Sequence, residues 1–372
     1  MRTRCPAFPV TCAAICALHF SSALDVVPLR WSPWAGELIG ELECARKASL
    51  PHPLPDLDAE LLALLRQSMR HNVTLFSVFA PADEEHERGF LLSGVTGTRI
   101  RRMVCAGALP VVIVLTERDR DRFAKAGVLA YYSHSFIQEL MAAVGNEIGD
   151  INVLRWSLVE SVARAGLNGM YIDLDIFWFG DLRRPYGSSD FDVLVQEHWQ
   201  GDLAPEKPSV YELEEAAEIH DEHVCCAPML GGACTGIMMF RASPEVVSFA
   251  MAIRAHHLEG PCTNMQVSVI QLHDWCAPRG RLKCGHFSHQ QGVTGFRGFS
   301  EILRQARAED GSPCGGGTSK TCSEKTLRER MPLLVHLDDS DDKITPTEIL
   351  EDAWPLSCDA GAGGDRRVHD EA

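Results

Sequence analysis

A basic surplus, a Cys-x-x-Cys pair, an internal repeat and an apolar run long enough to cross a bilayer are all missing from this chain. Each absence closes off a class of protein. The net charge is −16, from 51 acidic against 35 basic side chains in 372 residues. Broad nucleic-acid binding needs basic surface that displaces counterions, so that class is excluded. Fourteen cysteines without Cys-x-x-Cys spacing make neither a zinc ribbon nor a thioredoxin-type motif. A stable membrane span needs about 20 apolar residues. Residues 6–20 fall short of that and contain Pro6, Pro9 and His19.

The same stretch reads as a targeting segment. Arg2 and Arg4 precede it, and Ser21-Ser22-Ala23 follow it with small residues suited to cleavage after Ala23. Residues 1–23 are therefore expected to be a secretory signal or short leader. Cys225, Cys226, Cys234, Cys262, Cys276 and Cys284 cluster in the second half. In an oxidising compartment some of them are expected to pair.

What is present describes a globular chain: 45% hydrophobic and 23% charged residues, enough for one large domain. The acidity is partly local. Residues 211–222 hold six acids and no Lys or Arg, and residues 338–342 add four more, both read as solvated faces or loops. Residues 24–70 look like an irregular, Trp- and Pro-rich arm with a short helix at 59–69. Strand-like and helix-like runs then alternate: strands at 73–79, 110–116 and 128–132, helices at 88–105 and 117–126. Residues 110–116 are continuously apolar and β-branched, as in a buried parallel strand. Ile151, Leu154, Leu158, Val162 and Ala165 recur at helical spacing and predict one buried stripe, with Gly166 as the stop. Further strands are expected at 192–196, 236–240 and 333–337, with a helix capped by Ser243 and Pro244 and another at 264–275. Residues 200–232 read as an insertion; residues 311–323 and 360–372 read as disordered. The alternation implies an α/β fold, a mainly parallel sheet flanked by helices.

The most informative residues are Gly169-Met170-Tyr171-Ile172-Asp173-Leu174-Asp175. A short apolar run ends on two carboxylates one residue apart. On an extended strand alternate side chains share a face, so Asp173 and Asp175 are expected to address one point beyond the strand end. Ligands of parallel sheets sit at that end. Two anions so close repel unless a cation intervenes, and Mn2+ or Mg2+ prefers carboxylate oxygen. That pattern points to a metal–diphosphate site. Haloacid-dehalogenase-like phosphatases also place Asp-x-Asp on a buried strand, with the first Asp as nucleophile. Here about 100 residues of α/β pattern precede the strand, and bulky aromatics follow Asp175.

With these motifs the chain resembles the nucleotide-diphospho-sugar transferases of the type that includes plant and algal cell-wall glycosyltransferases, which have a GT-A fold. The match runs through residues 156–166, the strand 169–172, Asp173-Leu174-Asp175, Phe177-Trp178-Phe179 and Gly180-Asp181. A second strand is matched by Cys234-Thr235-Gly236-Ile237-Met238-Met239-Phe240 and Arg241-Ala242-Ser243. Outer matches are Asn264-Met265-Gln266, His336 and Lys343. The resemblance covers roughly residues 73–343 and implies a GT-A-like, Rossmann-type single domain over 71–345 with a flexible tail at 346–372. Cys234 stands where Asn is usual, and Asn264 where an acid is usual.

The resemblance implies sugar transfer from a nucleoside diphosphate sugar to a hydroxyl of a glycan or glycoprotein, in the Golgi lumen or after secretion. It gives Asp175 direct contact with Mn2+ or Mg2+, Asp173 the ribose or a share of the metal, and His336 the remaining coordination. Lys343 would neutralise the diphosphate, Thr235 and Gly236 would admit the donor, and Gln266 would bind donor or acceptor hydroxyls. Plain structural readings stand beside these. His336 would be a strand-end histidine, Lys343 a solvated lysine, Gly236 a tight strand entry and Gln266 a polar helix-start residue. Phe177, Trp178 and Phe179 read as core and pocket wall. The phosphatase, and a catalytically inactive nucleotide-sugar-binding module, are the alternative functions.

Overall fold

The computed structural model describes residues 27–29, 36–37, 40, 53–79, 95–105, 107–143, 151–197, 233–259, 272, 274–276, 280–287, 293–295 and 334–336. The first elements are strand β1 (Val27–Pro28), helix α1 (Ala59–Ser68), β2 (Thr74–Phe79), α2 (Val95–Cys105), β3 (Val111–Val114), α3 (Glu117–Lys125), β4 (Leu129–Tyr131) and α4 (His134–Ala143). The site-bearing centre is α5 (Ile151–Arg164), β5 (Gly169–Ile172), β6 (Ile176–Trp178) and the short α6 (Arg183–Tyr186). The rest are β7 (Val193–Glu197), β8 (Ala233–Phe240), α7 (Pro244–Glu259), β9 (Cys284–His286), β10 (Val293–Gly295) and β11 (Leu334–His336). No helix among the described residues is long and apolar enough to cross a membrane.

Eight strands form one sheet in the order β1-β9-β7-β8-β5-β2-β3-β4. The side from β5 to β4 is parallel, as the alternating pattern predicts. β8 runs antiparallel to both of its neighbours, so the sheet is mixed rather than uniformly parallel. A second, three-stranded sheet, β10-β11-β6, carries the chain onward from the acid pair. The α/β class and single-domain organisation hold. Residues 24–70 are more than an arm: β1 joins the sheet edge opposite β9, and Leu61 and Leu65 of α1 are fully buried. Burying those leucines makes α1 part of the same core, which therefore begins before residue 71.

Strand alternation divides the core. Phe76, Val78, Val111, Ile113, Tyr171, Met238 and Phe240 face one side, with buried side chains of α1, α4, α5 and α7. Leu75, Met170, Ile172, Ile237 and Met239 pack with Met103 of α2, Ile176 and Trp178 in one cluster. Val112 and Val114 pack with Ile100 of α2 and Phe123 of α3 in another. Phe240 lies so close over Gly169 that a Cβ there would sit 2.3 Å from its ring, so any larger residue at the start of β5 would force the ring to move.

Helix α5 departs from the one-stripe expectation. Residues 153–163 are all buried, and Ala165 is exposed. Packing against α7 as well as the sheet covers Trp156, Val159 and Ala163 in addition to the apolar stripe. The helix stops where expected, with Gly166 at φ +75°. Ser243 caps α7 by accepting the Val246 N–H at 3.1 Å. Helix α4 and strands β1, β9 and β10 were not foreseen from the pattern, the strands being only two or three residues long. The expected helix at 264–275 lies mostly outside the described residues, and the segments at 200–232, 311–323 and 360–372 lie wholly outside them.

Candidate active site

Strand β5 ends at Ile172, and Asp173 follows at the carboxyl end shared with parallel β2. Its N–H donates to the Gly236 carbonyl at 2.7 Å, extending the β5–β8 pairing by one bond. Leu174 and Asp175 then form a bend into β6. That bend, rather than a continuing strand, sets the directions of the two carboxylates.

Each carboxylate meets protein cations. The Asp173 side chain is 29% exposed. Its Oδ1 accepts the Tyr171 hydroxyl at 2.6 Å, and its Oδ2 lies 3.9 Å from Nη1 of Arg155 on α5. Asp175 is half-buried and acts from the other layer on Arg99 of α2. Burial pulls the Arg99 guanidinium down to about 10, with the Asp175 charge opposing that shift. Burial holds the Tyr171 phenol well above its usual range, reinforced by Asp173, so it is a neutral donor. Arg102, also on α2, stacks 4.3 Å over the Phe177 ring. The repulsion between the acids, taken from sequence as a demand for metal, is thus answered in part by arginines.

The expected site residues divide into two groups. Thr235 is buried beside Gly236, whose carbonyl holds Asp173. The sulfur of half-buried Cys234 accepts the Gly236 N–H at 3.5 Å. Strand β11 pairs antiparallel with β6, placing the His336 backbone opposite Ile176, the residue after Asp175. Asp173, Asp175, Thr235, Gly236 and the His336 backbone therefore share one neighbourhood. Gln266 and Lys343 lie outside the described residues. Phe177 and Trp178 are buried, as wall and core residues should be. Among the described residues no group of three or more His, Cys, Asp or Glu side chains converges.

Tyr171, Arg155, Arg99 and Arg102 were not singled out from sequence. Two of them left a signal. Tyr171 is two residues before Asp173 and so shares its side of the strand, and Arg155 interrupts the apolar run of α5. Nothing in the sequence links Arg99 or Arg102 to the acids; only packing of α2 on β6 brings them close.

The model of one protein family matches residues 121–310, just over half of the chain. The chain belongs to that family, the nucleotide-diphospho-sugar transferases. Its enzyme class is accordingly glycosyltransferase, which replaces the phosphatase alternative. Two solved structures are similar. The mouse xyloside xylosyltransferase 1 apo form has 10% identity and a TM-score of 0.40, over 73% of this chain and 98% of that one. The WbbM bifunctional glycosyltransferase apo structure has 10% identity and a TM-score of 0.41, over 77% of this chain and 50% of that one. No curated protein sequence matches significantly.

Proposed function

We propose that this protein is a metal-dependent glycosyltransferase that moves a sugar from a nucleoside diphosphate sugar to a hydroxyl of a glycan or glycoprotein. One observation carries the reading. Asp173 and Asp175 follow the carboxyl end of β5, beside Thr235-Gly236 of β8 and against the strand that ends in His336. The donor set fits Mn2+ or Mg2+, because both side chains offer hard carboxylate oxygen and neither is fully buried. Asp175 would hold the ion directly, with His336 completing the set and Asp173 sharing it or taking the ribose. When bound, the ion supplies Lewis acidity that favours departure of the diphosphate.

The chain's own residues supply the remainder. Arg99 and Arg155 maintain positive potential behind the acids, in place before any substrate arrives. The Gly236 carbonyl and the Tyr171 hydroxyl hold Asp173 in place. Thr235 and Gly236 border the donor, while Lys343 and Gln266 would meet the diphosphate and the hydroxyls. Buried Phe177 and Trp178 wall the site from beneath.

A secretory location, the Golgi lumen or outside the cell, accompanies this reading. The Cys276–Cys284 disulfide supports it, since such bonds persist in oxidising compartments. The deciding experiment is thermal stabilisation by UDP or GDP with Mn2+, followed by turnover of a nucleotide-sugar panel with and without chelator. Asp175→Ala is expected to cut turnover about a thousandfold, the loss of several kcal/mol of leaving-group stabilisation. Full activity in that variant, or in chelator, sinks the metal assignment. Tight nucleotide binding without any sugar release to water or acceptor marks an inactive binding module instead.

A further inference from the structure

We propose that Tyr171 and Arg155 are positioning residues for the donor site, holding Asp173 so that its outward lone pairs meet the sugar nucleotide in one direction. The inference rests on the glycosyltransferase reading and extends it to two side chains to which the sequence motifs give no role.

Three anchors among the described residues act on Asp173. Its N–H is tied to the Gly236 carbonyl at 2.7 Å. The Tyr171 hydroxyl donates to Oδ1 at 2.6 Å. Arg155 Nη1 stands 3.9 Å from Oδ2, too far for a hydrogen bond, so it acts through its field. The Arg155 guanidinium also lies 5.4 Å from the Tyr171 ring centre, so the two anchors support one another. Tyr171 is 1% exposed and Arg155 8%, while 29% of the Asp173 side chain reaches solvent. The rigid partners are inside and the carboxylate looks out.

A purely structural account leaves the hydroxyl unexplained. The Tyr171 ring packs edge-on against Phe76 at 5.8 Å, which phenylalanine would do equally well. Burying a hydroxyl costs free energy unless it is bonded, and its bond goes to Asp173. Arg155 likewise brings a charge into a layer of Leu154, Leu158 and Val162, where an aliphatic side chain would pack without desolvation. Both residues bring polarity into the core beside the same acid. A carboxylate held in this way loses less rotational freedom when a ligand arrives.

The test uses the full chain as wild type, Tyr171→Phe, Arg155→Met and Arg155→Lys. Melting temperature, calorimetric Kd for UDP and GDP with Mn2+, and donor KM and kcat are measured on each. Tyr171→Phe is expected to keep the fold and weaken nucleotide–Mn2+ binding or donor KM roughly ten- to hundredfold, the range for a hydrogen bond to a charged group. Arg155→Met should do likewise, with Arg155→Lys recovering part of the loss. A merely structural role would reduce the folded fraction, scaling kcat and leaving Kd and KM where they were. Wild type that binds a nucleotide, with both variants unchanged in Kd and KM, overturns the positioning roles and leaves the function intact. Wild type that binds neither nucleotide overturns the function and this inference with it.

Discussion

Two of the ion pairs on helix α5, little more than one turn apart, are built in opposite ways. Glu160 meets Arg254 of α7 at 3.0 Å, with side chains 1% and 0% exposed. Arg155 meets Asp173 at 3.9 Å, with side chains 9% and 29% exposed. The first is closed, and it joins α5 to α7 inside the main core. Burial there outweighs the attraction of Arg254 and Arg164, so the Glu160 carboxyl sits above its ordinary range. A pair of that kind sets which helix faces meet and adds little net stability. The second pair is loose at its acidic end, and solvent or a ligand can reach the carboxylate. The same helix thus serves the frame at one turn and the site at the next. A third acid–arginine unit belongs with the frame: Arg183, fully buried, forks onto Asp181 at 2.8 and 2.7 Å and donates to the Ser68 carbonyl at 2.6 Å, tying the turn after β6 to the end of α1.

Breaking the closed pair should give the largest stability effect. Arg254→Met leaves the buried Glu160 with only the looser Arg164 contact at 3.5 Å in place of its 3.0 Å partner and is expected to cost up to about 3–5 kcal/mol, read from urea unfolding. The double change Glu160→Met with Arg254→Met should recover most of that loss. If the double variant is as unstable as the single, the pair contributes more than helix registration.

Acid should loosen the frame at a buried histidine. His286 of β9 is 1% exposed, and burial pushes its imidazole down to about 4. Its folded value lies below the unfolded one, near 6.5, so the unfolded chain binds the proton first. Stability from this group is therefore complete above pH 6.5 and lost as pH falls from 6.5 to 4, on the order of 3 kcal/mol. His286→Leu should flatten that limb of the stability profile, and an unchanged limb would remove His286 as its cause.

The smallest stability effect is expected at the open pair. Asp173→Asn should move unfolding free energy by no more than about 1 kcal/mol, as for partly exposed pairs, while donor binding falls. Its sign is informative. A gain in stability means the two acids repel in the free protein; a small loss means Arg155 already balances Asp173.

Much of the frame was legible because it follows from local periodicity. The buried strands at 74–79, 111–114, 169–172 and 233–240, the helix ending at Gly166 and the Ser243 cap all follow from patterns spanning a few residues. Short strands such as β9 and β10 were not legible, since three residues carry too little pattern to stand out. Burial all round α5 also escaped the periodicity, because the covering surface is α7, some 90 residues further along the chain. At the site, the acid pair and Thr235-Gly236 could be named from motifs. Their arginine neighbours could not.

Composition and order alone determined an α/β chain, an acid pair after a buried strand, and a family resemblance that the family match bears out. Those properties depend on side-chain type and near-neighbour spacing, which a linear string preserves. Tertiary structure alone decided that α2 and α5 approach the acids from opposite layers, and that β11 runs beside the strand leaving them. Charge compensation acts through space over a few ångströms, and only the folded backbone brings residues so distant in sequence within that range.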